Sequence, residues 1–296
     1  MQQYKVIGIG DNVVDKYVHQ GIMYPGGNAL NFCAYARMCG LDASYIGKFG
    51  NDEVAKYIQK VLDQLGIEHN HCRIFNGENG YARVTLKNGD RVFLGSNKGG
   101  IAKEKEWNFT EKDLNYIKQF SLIHTSVNSY IENDLPILKQ CNIPISYDFS
   151  IRWNDEYLEK VCKYIDISFL SCSHLTEKER KQEMLKAQYF GSKIVVGTVG
   201  EQGSFALYKD HWIYQPAVAT ETVDTMGAGD SYLTAFLIGM IKSSKSGRMF
   251  SDIDDDMVNR IRESMEKGAE FAAKICKING AFGYGTQIIE ASEEIK

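Results

Sequence analysis

The sequence contains no stretch of about 18 apolar residues, the length a helix needs to cross a bilayer. Its start, Met1-Gln2-Gln3-Tyr4-Lys5, runs straight into a strand-like stretch, without the long apolar segment of a secretory leader. No two of its seven cysteines stand as Cys-x-x-Cys, and their number is odd. Neither a zinc site nor a disulfide framework is therefore expected; reduced, mostly buried thiols in a cytosolic protein are. Positive charge is short: 34 Lys and Arg against 38 Asp and Glu leave a net charge of −4. That argues against a nucleic-acid or membrane-surface partner, but not against a small phosphorylated ligand, which needs only a local positive field. The P-loop pattern G-x-x-x-x-G-K-[ST] is missing. So are internal repeats and low-complexity linkers. What remains is an ordinary soluble composition, 44% hydrophobic and 24% charged, in 296 residues. That length can bury a large core. A prior of about 150 residues per domain gives two domains, yet α/β folds often run longer as one, and a single domain over 1–296 is the expectation.

The chain alternates strand-like and helix-like segments. Residues 4–10 read as a short buried strand, 28–39 as a helix stopped by Gly40, 44–49 as a strand and 53–65 as a helix stopped by Gly66. This rhythm implies a mostly parallel sheet with helices on both faces. It breaks between residues 71 and 95, where two strand-like runs flank Lys87-Asn88-Gly89-Asp90, an Asn-Gly hairpin turn. Residues 11–24 also lack helical periodicity. Segments 11–24 and 71–95 are expected to form a small β-sheet over one end of the core, a lid. The alternation resumes with strands at 122–125, 145–149, 165–170 and 193–199, a charged helix at 176–190 and a hairpin at 205–214. Leu233, Phe236, Leu237, Met240 and Ile241 form the apolar stripe of a strong helix. Residues 243–256 read as a polar surface loop, and 265–278 as the last helix.

Asp224-Thr225-Met226-Gly227-Ala228-Gly229-Asp230-Ser231 carries the chemistry. Three small residues precede an amphipathic helix, whose first N–H groups lack internal partners and favour an anion. A carboxylate at that same helix start repels phosphate. It makes sense where it takes a proton from a hydroxyl that attacks phosphorus, with positioning and charge neutralisation supplying the rest. Asp is also a good helix-start residue, and Gly-Ala-Gly can be a plain tight turn; alone, the pattern supports either reading.

The full string closely resembles the signature of the ribokinase-like sugar kinases, the PfkB family. Two more strings carry the resemblance in the family's order: Gly26-Gly27-Asn28-Ala29-Leu30-Asn31, near its G-G-x-x-x-N element, and Thr198-Val199-Gly200-Glu201-Gln202-Gly203, near its T-x-G-x-x-G nucleotide loop. The resemblance spans nearly the whole chain and implies a ribokinase-like three-layer sandwich with the β-lid. It implies Asp230 as base, with the N–H groups of Gly227, Ala228 and Gly229 as the anion hole. Asp15, with Asp11 as a second candidate, would bind sugar hydroxyls alongside Gly26, Gly27, Asn28 and Asn31. Thr198, Gly200 and Gly203 would line ATP. Arg152, in a D-x-N-x-R-like string with Ser150 in place of Asn, would neutralise phosphate charge or stand as a surface arginine. Arg91 would reach the sugar from the lid or decorate an edge strand. Where many relatives carry N-x-x-E, this chain has Ser171-Cys172-Ser173-His174, leaving His174, Glu177 or the phosphates themselves to order Mg2+. Asp224 and the Met226 carbonyl would hold K+, or Asp224 would only brace the turn.

Within the family, Gly8-Ile9-Gly10-Asp11-Asn12-Val13-Val14-Asp15, Asn88-Gly89-Asp90-Arg91-Val92-Phe93 and Tyr147-Asp148-Phe149-Ser150 are most similar to the fructoselysine 6-kinases. That implies transfer to the 6-hydroxyl of a ketosamine. Fructose, another ketose or a nucleoside remain open as substrates, and Glu132 and Arg83 are candidates for the charged ends of the lysine portion. A homodimer through the lid is expected, since many relatives dimerise there. A non-catalytic sugar-binding protein would not need both Asp230 and the anion hole.

Overall fold

The computed structural model describes residues 4–87, 90–244, 249–250 and 256–289, with the backbone alone of 86, 87, 90 and 91. In chain order the first half runs β1 (Lys5–Gly10), β2 (Val13–Tyr17), β3 (Ile22–Gly26), α1 (Asn28–Met38), β4 (Asp42–Phe49) and α2 (Glu53–Leu65). Next come β5 (Arg73–Ile74), β6 (Gly80–Lys87), β7 (Asp90–Ser96), α3 (Ile101–Glu104), α4 (Glu111–Ile117), β8 (Leu122–Ser126) and α5 (Leu135–Lys139). Then follow β9 (Ile145–Asp148), α6 (Asp155–Cys162), β10 (Ile167–Ser171), α7 (Glu177–Tyr189), β11 (Ile194–Thr198), β12 (Ser204–Tyr208) and β13 (His211–Gln215). The long helices α8 (Ala228–Lys242) and α9 (Met257–Ile275) and the short β14 (Thr286–Gln287) complete the order.

Nine strands form the large sheet, in the order β13-β12-β11-β10-β9-β8-β1-β4-β5. From β11 to β5 neighbours are parallel; the β12–β13 hairpin adds an antiparallel edge. Successive strand residues point to opposite faces, and both faces are covered, so the strands read as continuous apolar runs. Val6, Leu122, Ile194, Val196 and Ala206 share one core with Leu30 of α1, Ile58 of α2, Phe236 of α8 and Ile261 of α9. Their neighbours Ile7, Ile123, Val195 and Leu207 share the other with Ile117 of α4, Leu135 of α5, Leu158 of α6 and Met184 of α7. This is the three-layer α/β sandwich the alternation implies.

The small sheet runs β14-β3-β2-β6-β7, and the β6–β7 hairpin belongs to it and not to the large sheet. The Asn88-Gly89 turn lies outside the described residues. Three features differ from the sequence reading. Arg73 and Ile74 pair with Lys48 and Phe49 at the edge of the large sheet, so the excursion begins at Gly80 and not at residue 71. The fifth strand, β14, comes from far along the chain and pairs with Met23 and Ile22 of β3. The last long helix also starts earlier, at Met257; Arg260, buried there, donates to the Met240 carbonyl at 2.8 Å, which hid a core-facing position behind a charged residue. No helix among the described residues is long and apolar enough to cross a membrane.

Parallel strands deliver their carboxyl ends to one rim, where open α/β sheets bind ligands. On that rim α8 is held against the sheet by Phe236, fully buried and set edge-on to Phe169 of β10, with ring centroids 5.8 Å apart. Phe236→Ala should therefore lower unfolding free energy by about 3–5 kcal/mol. Urea titration followed by circular dichroism would read it; a shift under about 1 kcal/mol would show that α8 is anchored elsewhere.

Candidate active site

Two helices start at the rim, and neither has a capping side chain of its own. α1 follows Gly27, whose φ of 111° favours glycine; a Cβ there would come within 2.7 Å of the Asp11 carbonyl oxygen. Asp11, just past the end of β1, supplies the missing cap. Its Oδ2 accepts the Asn28 N–H at 2.8 Å, and its Oδ1 accepts the Ala29 N–H at 3.3 Å. The hydroxyls of Ser126 and Ser129 donate to the same Oδ1 at 3.1 and 3.3 Å. Of the two early aspartates expected to meet the sugar, Asp11 caps α1 and also lines the cavity described below. Asp15, on β2, is buried beside Gly26: a Cβ on Gly26 would lie 2.7 Å from its Oδ2.

α8 follows Gly227 at φ 74°, where a Cβ would come within 2.1 Å of the buried Tyr35 hydroxyl of α1. Of the three residues of the expected anion hole, Ala228 uses its N–H inside the turn, donating to the Thr225 carbonyl at 3.2 Å. Gly229 is the exposed one, with open space where a side chain would stand. Asp224 braces the turn from behind. Its Oδ2 accepts from the Tyr17 hydroxyl at 2.5 Å and the Gly280 N–H at 2.9 Å, and its Oδ1 accepts the Met226 N–H at 2.9 Å. Three of about four lone-pair sites are taken in this bracing role.

Where the helix starts meet, one side chain joins two carboxylates. The Asn28 amide donates to Asp148 Oδ2, at the end of β9, and to Asp230 Oδ1, both at 2.8 Å. Asn31, one turn along α1, donates to Asp230 Oδ2 at 2.6 Å. The Asn28 oxygen accepts from His124 Nε2 at 2.8 Å. Burial pushes His124 down to about 3, so its ring is neutral, and the Ser146 hydroxyl donates to its Nδ1 at 2.9 Å. This chain fixes the amide with both N–H groups toward the carboxylates. Burial first, and the Asp230 charge second, push Asp148 up to about 7. Asn28, expected from the sequence to meet the sugar, spends both amide N–H groups within the protein yet lines the cavity described below, and Asn31 turns its amide nitrogen to Asp230 while its buried Oδ1 has no hydrogen-bond partner among the described residues.

The remaining residues spread along the same rim. Thr198 ends β11, and Gly200 (φ 56°) and Gly203 (φ 98°) shape a tight loop beside Ser173, which follows β10. Arg152 is exposed and donates to Asn128 Oδ1. Arg91 lies on β7, and its side chain is outside the described residues. His174 packs its ring against Trp153, 5.8 Å away, and Glu177 pairs with Lys181 at 2.6 Å. No group of three or more metal-ligating side chains occurs among the described residues. Glu132 accepts from the hydroxyls of Tyr147 and Tyr157, so it is engaged in the fold. A cavity of about 500 Å³ lies between the small sheet and this rim, with Asp15, Gly27, Asn31, Asp148, Met226 and Asp230 along one side.

Sequence reasoning named Asp148 only as part of strings such as the D-x-N-x-R-like one and gave it no role, and it missed His124. Asp148 had a usable signal, since it closes a parallel strand and so points at the rim. His124, inside an apolar strand, had none.

The profile of the pfkB family carbohydrate kinases matches residues 3–281. The chain is 42% identical over 283 residues to the fructosamine kinase FrlD of Bacillus subtilis (strain 168), covering 95% of this chain and 94% of that protein. It is 29% identical over 232 residues to the fructoselysine 6-kinase of Escherichia coli (strain K12), covering 78% and 87%. Among solved structures, Arabidopsis thaliana ribokinase complexed with ribose and ATP matches in fold with a TM-score of 0.77 at 19% identity, over 95% of each chain.

The Asp148 proton has a thermodynamic signature. Folded, the carboxyl keeps its proton up to about 7; unfolded, an aspartate loses it near pH 3.9. Between those values the folded protein binds more protons, so this group makes stability fall as pH rises and adds no slope above 7. Asp148→Asn should gain stability relative to wild type as pH climbs through that window. Parallel denaturation curves that keep a constant offset at every pH would contradict the assignment.

Proposed function

The chain belongs to the pfkB family of carbohydrate kinases, and from that premise we propose that it transfers the γ-phosphoryl group of ATP to the 6-hydroxyl of a ketosamine, fructoselysine or a related fructosamine. The observation that carries this reading is Asp230. It is held by two amides at the start of α8, beside the open face of Gly229. The two relatives reported above, named for fructosamine and fructoselysine, support the substrate class.

In this reading the small sheet is a lid and the sugar lies beneath it, with Asp15 accepting from its hydroxyls. ATP follows the Thr198–Gly203 loop, and its γ-phosphoryl group meets the first N–H groups of α8, Gly229 foremost. Asp230 takes the proton of the 6-hydroxyl as that oxygen bonds to phosphorus and the bond to the ADP oxygen breaks. Asn28 and Asn31 orient Asp230. Asp148, which keeps a proton up to about 7, spares the pocket a second charge beside the incoming phosphate. Magnesium, when bound with the nucleotide, offsets phosphate charge; it is held in this reading by phosphates and water, and Asp224 acts as a brace. Arg152 and Arg91 are assigned to the anionic phosphate and the sugar. Val92, Phe93 and Leu94, exposed on the edge strand β7, support a homodimer through the small sheet. All seven cysteines are free thiols, which accords with a cytosolic enzyme.

Removing the base should lower kcat by about 10²–10⁴-fold in Asp230→Asn, with the KM for ATP within about twofold of wild type. The new amide would also set a donor against the Asn28 or Asn31 donors, so a modest loss of stability should accompany it. Asp15→Asn should act chiefly on the sugar, raising its KM more than it lowers kcat. A coupled ADP-release assay measures both; near-normal turnover by a folded Asp230→Asn protein would end this reading.

A further inference from the structure

The cavity is lined by charges of both signs, Asp11 and Arg152 among them. Asp15, Asp148 and Asp230 lie along the side where the helices start. The loop after β7 contributes Lys98 and Lys103 to the same cavity, both with exposed side chains. Neither lysine takes part in an ion pair among the described residues.

This loop is held in shape. Asn97 donates to the Asn79 carbonyl at 2.8 Å and accepts the Tyr81 N–H at 2.9 Å, tying it to the start of β6. The Ile101 N–H reaches the Glu78 carbonyl at 3.0 Å. Across the cavity, Tyr130 donates its hydroxyl to the Lys98 carbonyl at 3.1 Å, and the Lys103 ammonium stands 5.8 Å from the Tyr130 ring centre. Lys98 and Tyr130 both occupy left-handed backbone, with φ of 57° and 51°. Non-glycine residues adopt that region at an energetic cost, so Lys98 stands where glycine would be easier, while Lys103 stands on the short helix α3 that follows.

A hexose alone offers these cations no charged partner. We propose that Lys98 and Lys103 form a carboxylate subsite, which receives the carboxyl group of the amino acid carried by a ketosamine whose 6-hydroxyl faces Asp230. The inference rests on the ketosamine reading above and narrows it: the substrate class is glycated amino acids with a free carboxylate, as opposed to glycated amines or bare ketoses. The distance from the glycated nitrogen to the carboxylate differs between α-linked and ε-linked amino acids, and both chemistries belong to the class.

The test compares kcat/KM for four substrates: fructose linked to the lysine ε-nitrogen, fructose linked to the valine α-nitrogen, fructose linked to cadaverine, which lacks the carboxylate, and fructose 1-phosphate. Wild type should favour at least one carboxylated ketosamine over the cadaverine derivative by tenfold or more, about what one charged contact supplies. Whichever carboxylated substrate is favoured supports the subsite and tells which linkage it fits. In Lys98→Gln/Lys103→Gln that preference should collapse to within about twofold, and Lys98→Arg/Lys103→Arg should restore most of it. Retention of the full preference by the Gln variant, or a stronger wild-type preference for fructose 1-phosphate, would overturn the subsite while leaving a ketosamine kinase standing. Wild type that phosphorylates neither carboxylated ketosamine nor the cadaverine derivative would remove the underlying reading as well, before any variant is made.

Discussion

Two carboxylates share one amide at the centre of this protein. Asp148 and Asp230 arrive from different layers, one at the end of a strand and one at the start of a helix. Like charges so placed repel, and their mutual approach is tolerated because Asn28 donates to both and because Asp148 keeps a proton up to about 7. The Asn28 oxygen accepts from His124 Nε2, and the neutral ring accepts at Nδ1 from Ser146. The orientation of Asp230 is thereby set by a chain running back into the sheet, whose members are all buried or half-buried. The placement of α1 belongs to the same system, since Asp11 caps it from the loop after β1.

Much of the fold was readable because its strands are buried on both faces and its helices end at glycines. Gly66 after α2 adopts the left-handed conformation expected of such a stop. The Asp224–Ser231 string located the helix start and its carboxylate correctly. What stayed hidden depends on contacts between distant residues. Asn28 and Asp230 are 202 positions apart, and a sequence motif that names both says nothing of their hydrogen bond. Asn28 and Asp11, expected at the sugar, also brace the protein, and no local pattern announces those hydrogen bonds. Short pairings escaped too. Arg73–Ile74 and β14 are two residues each, too brief for any periodicity to register.

The site divides its labour by element type. A strand end and a helix start supply Asp148 and Asp230, tied to each other through Asn28. Substrate-facing variety comes from the small sheet and the loop following it, built on turns and left-handed residues. Such a division lets one chemistry be kept while the end of the cavity that distinguishes substrates changes.

The fifth strand of the small sheet has a consequence for how the molecule is made. β14 pairs with β3, and Lys16 of β2 donates to the Ile289 carbonyl just beyond it at 3.1 Å. Gly280 and Gly285, both just before β14, pack against the Tyr24 ring so closely that neither has room for a Cβ. A ribosome adding about 5–20 residues per second emits residue 286 some 13 to 52 seconds, roughly, after residue 26. For that interval β3 is an open edge, able to pair with any passing strand. During synthesis the cover of the cavity is therefore the portion of the nascent chain most dependent on a guardian, and the last to become complete.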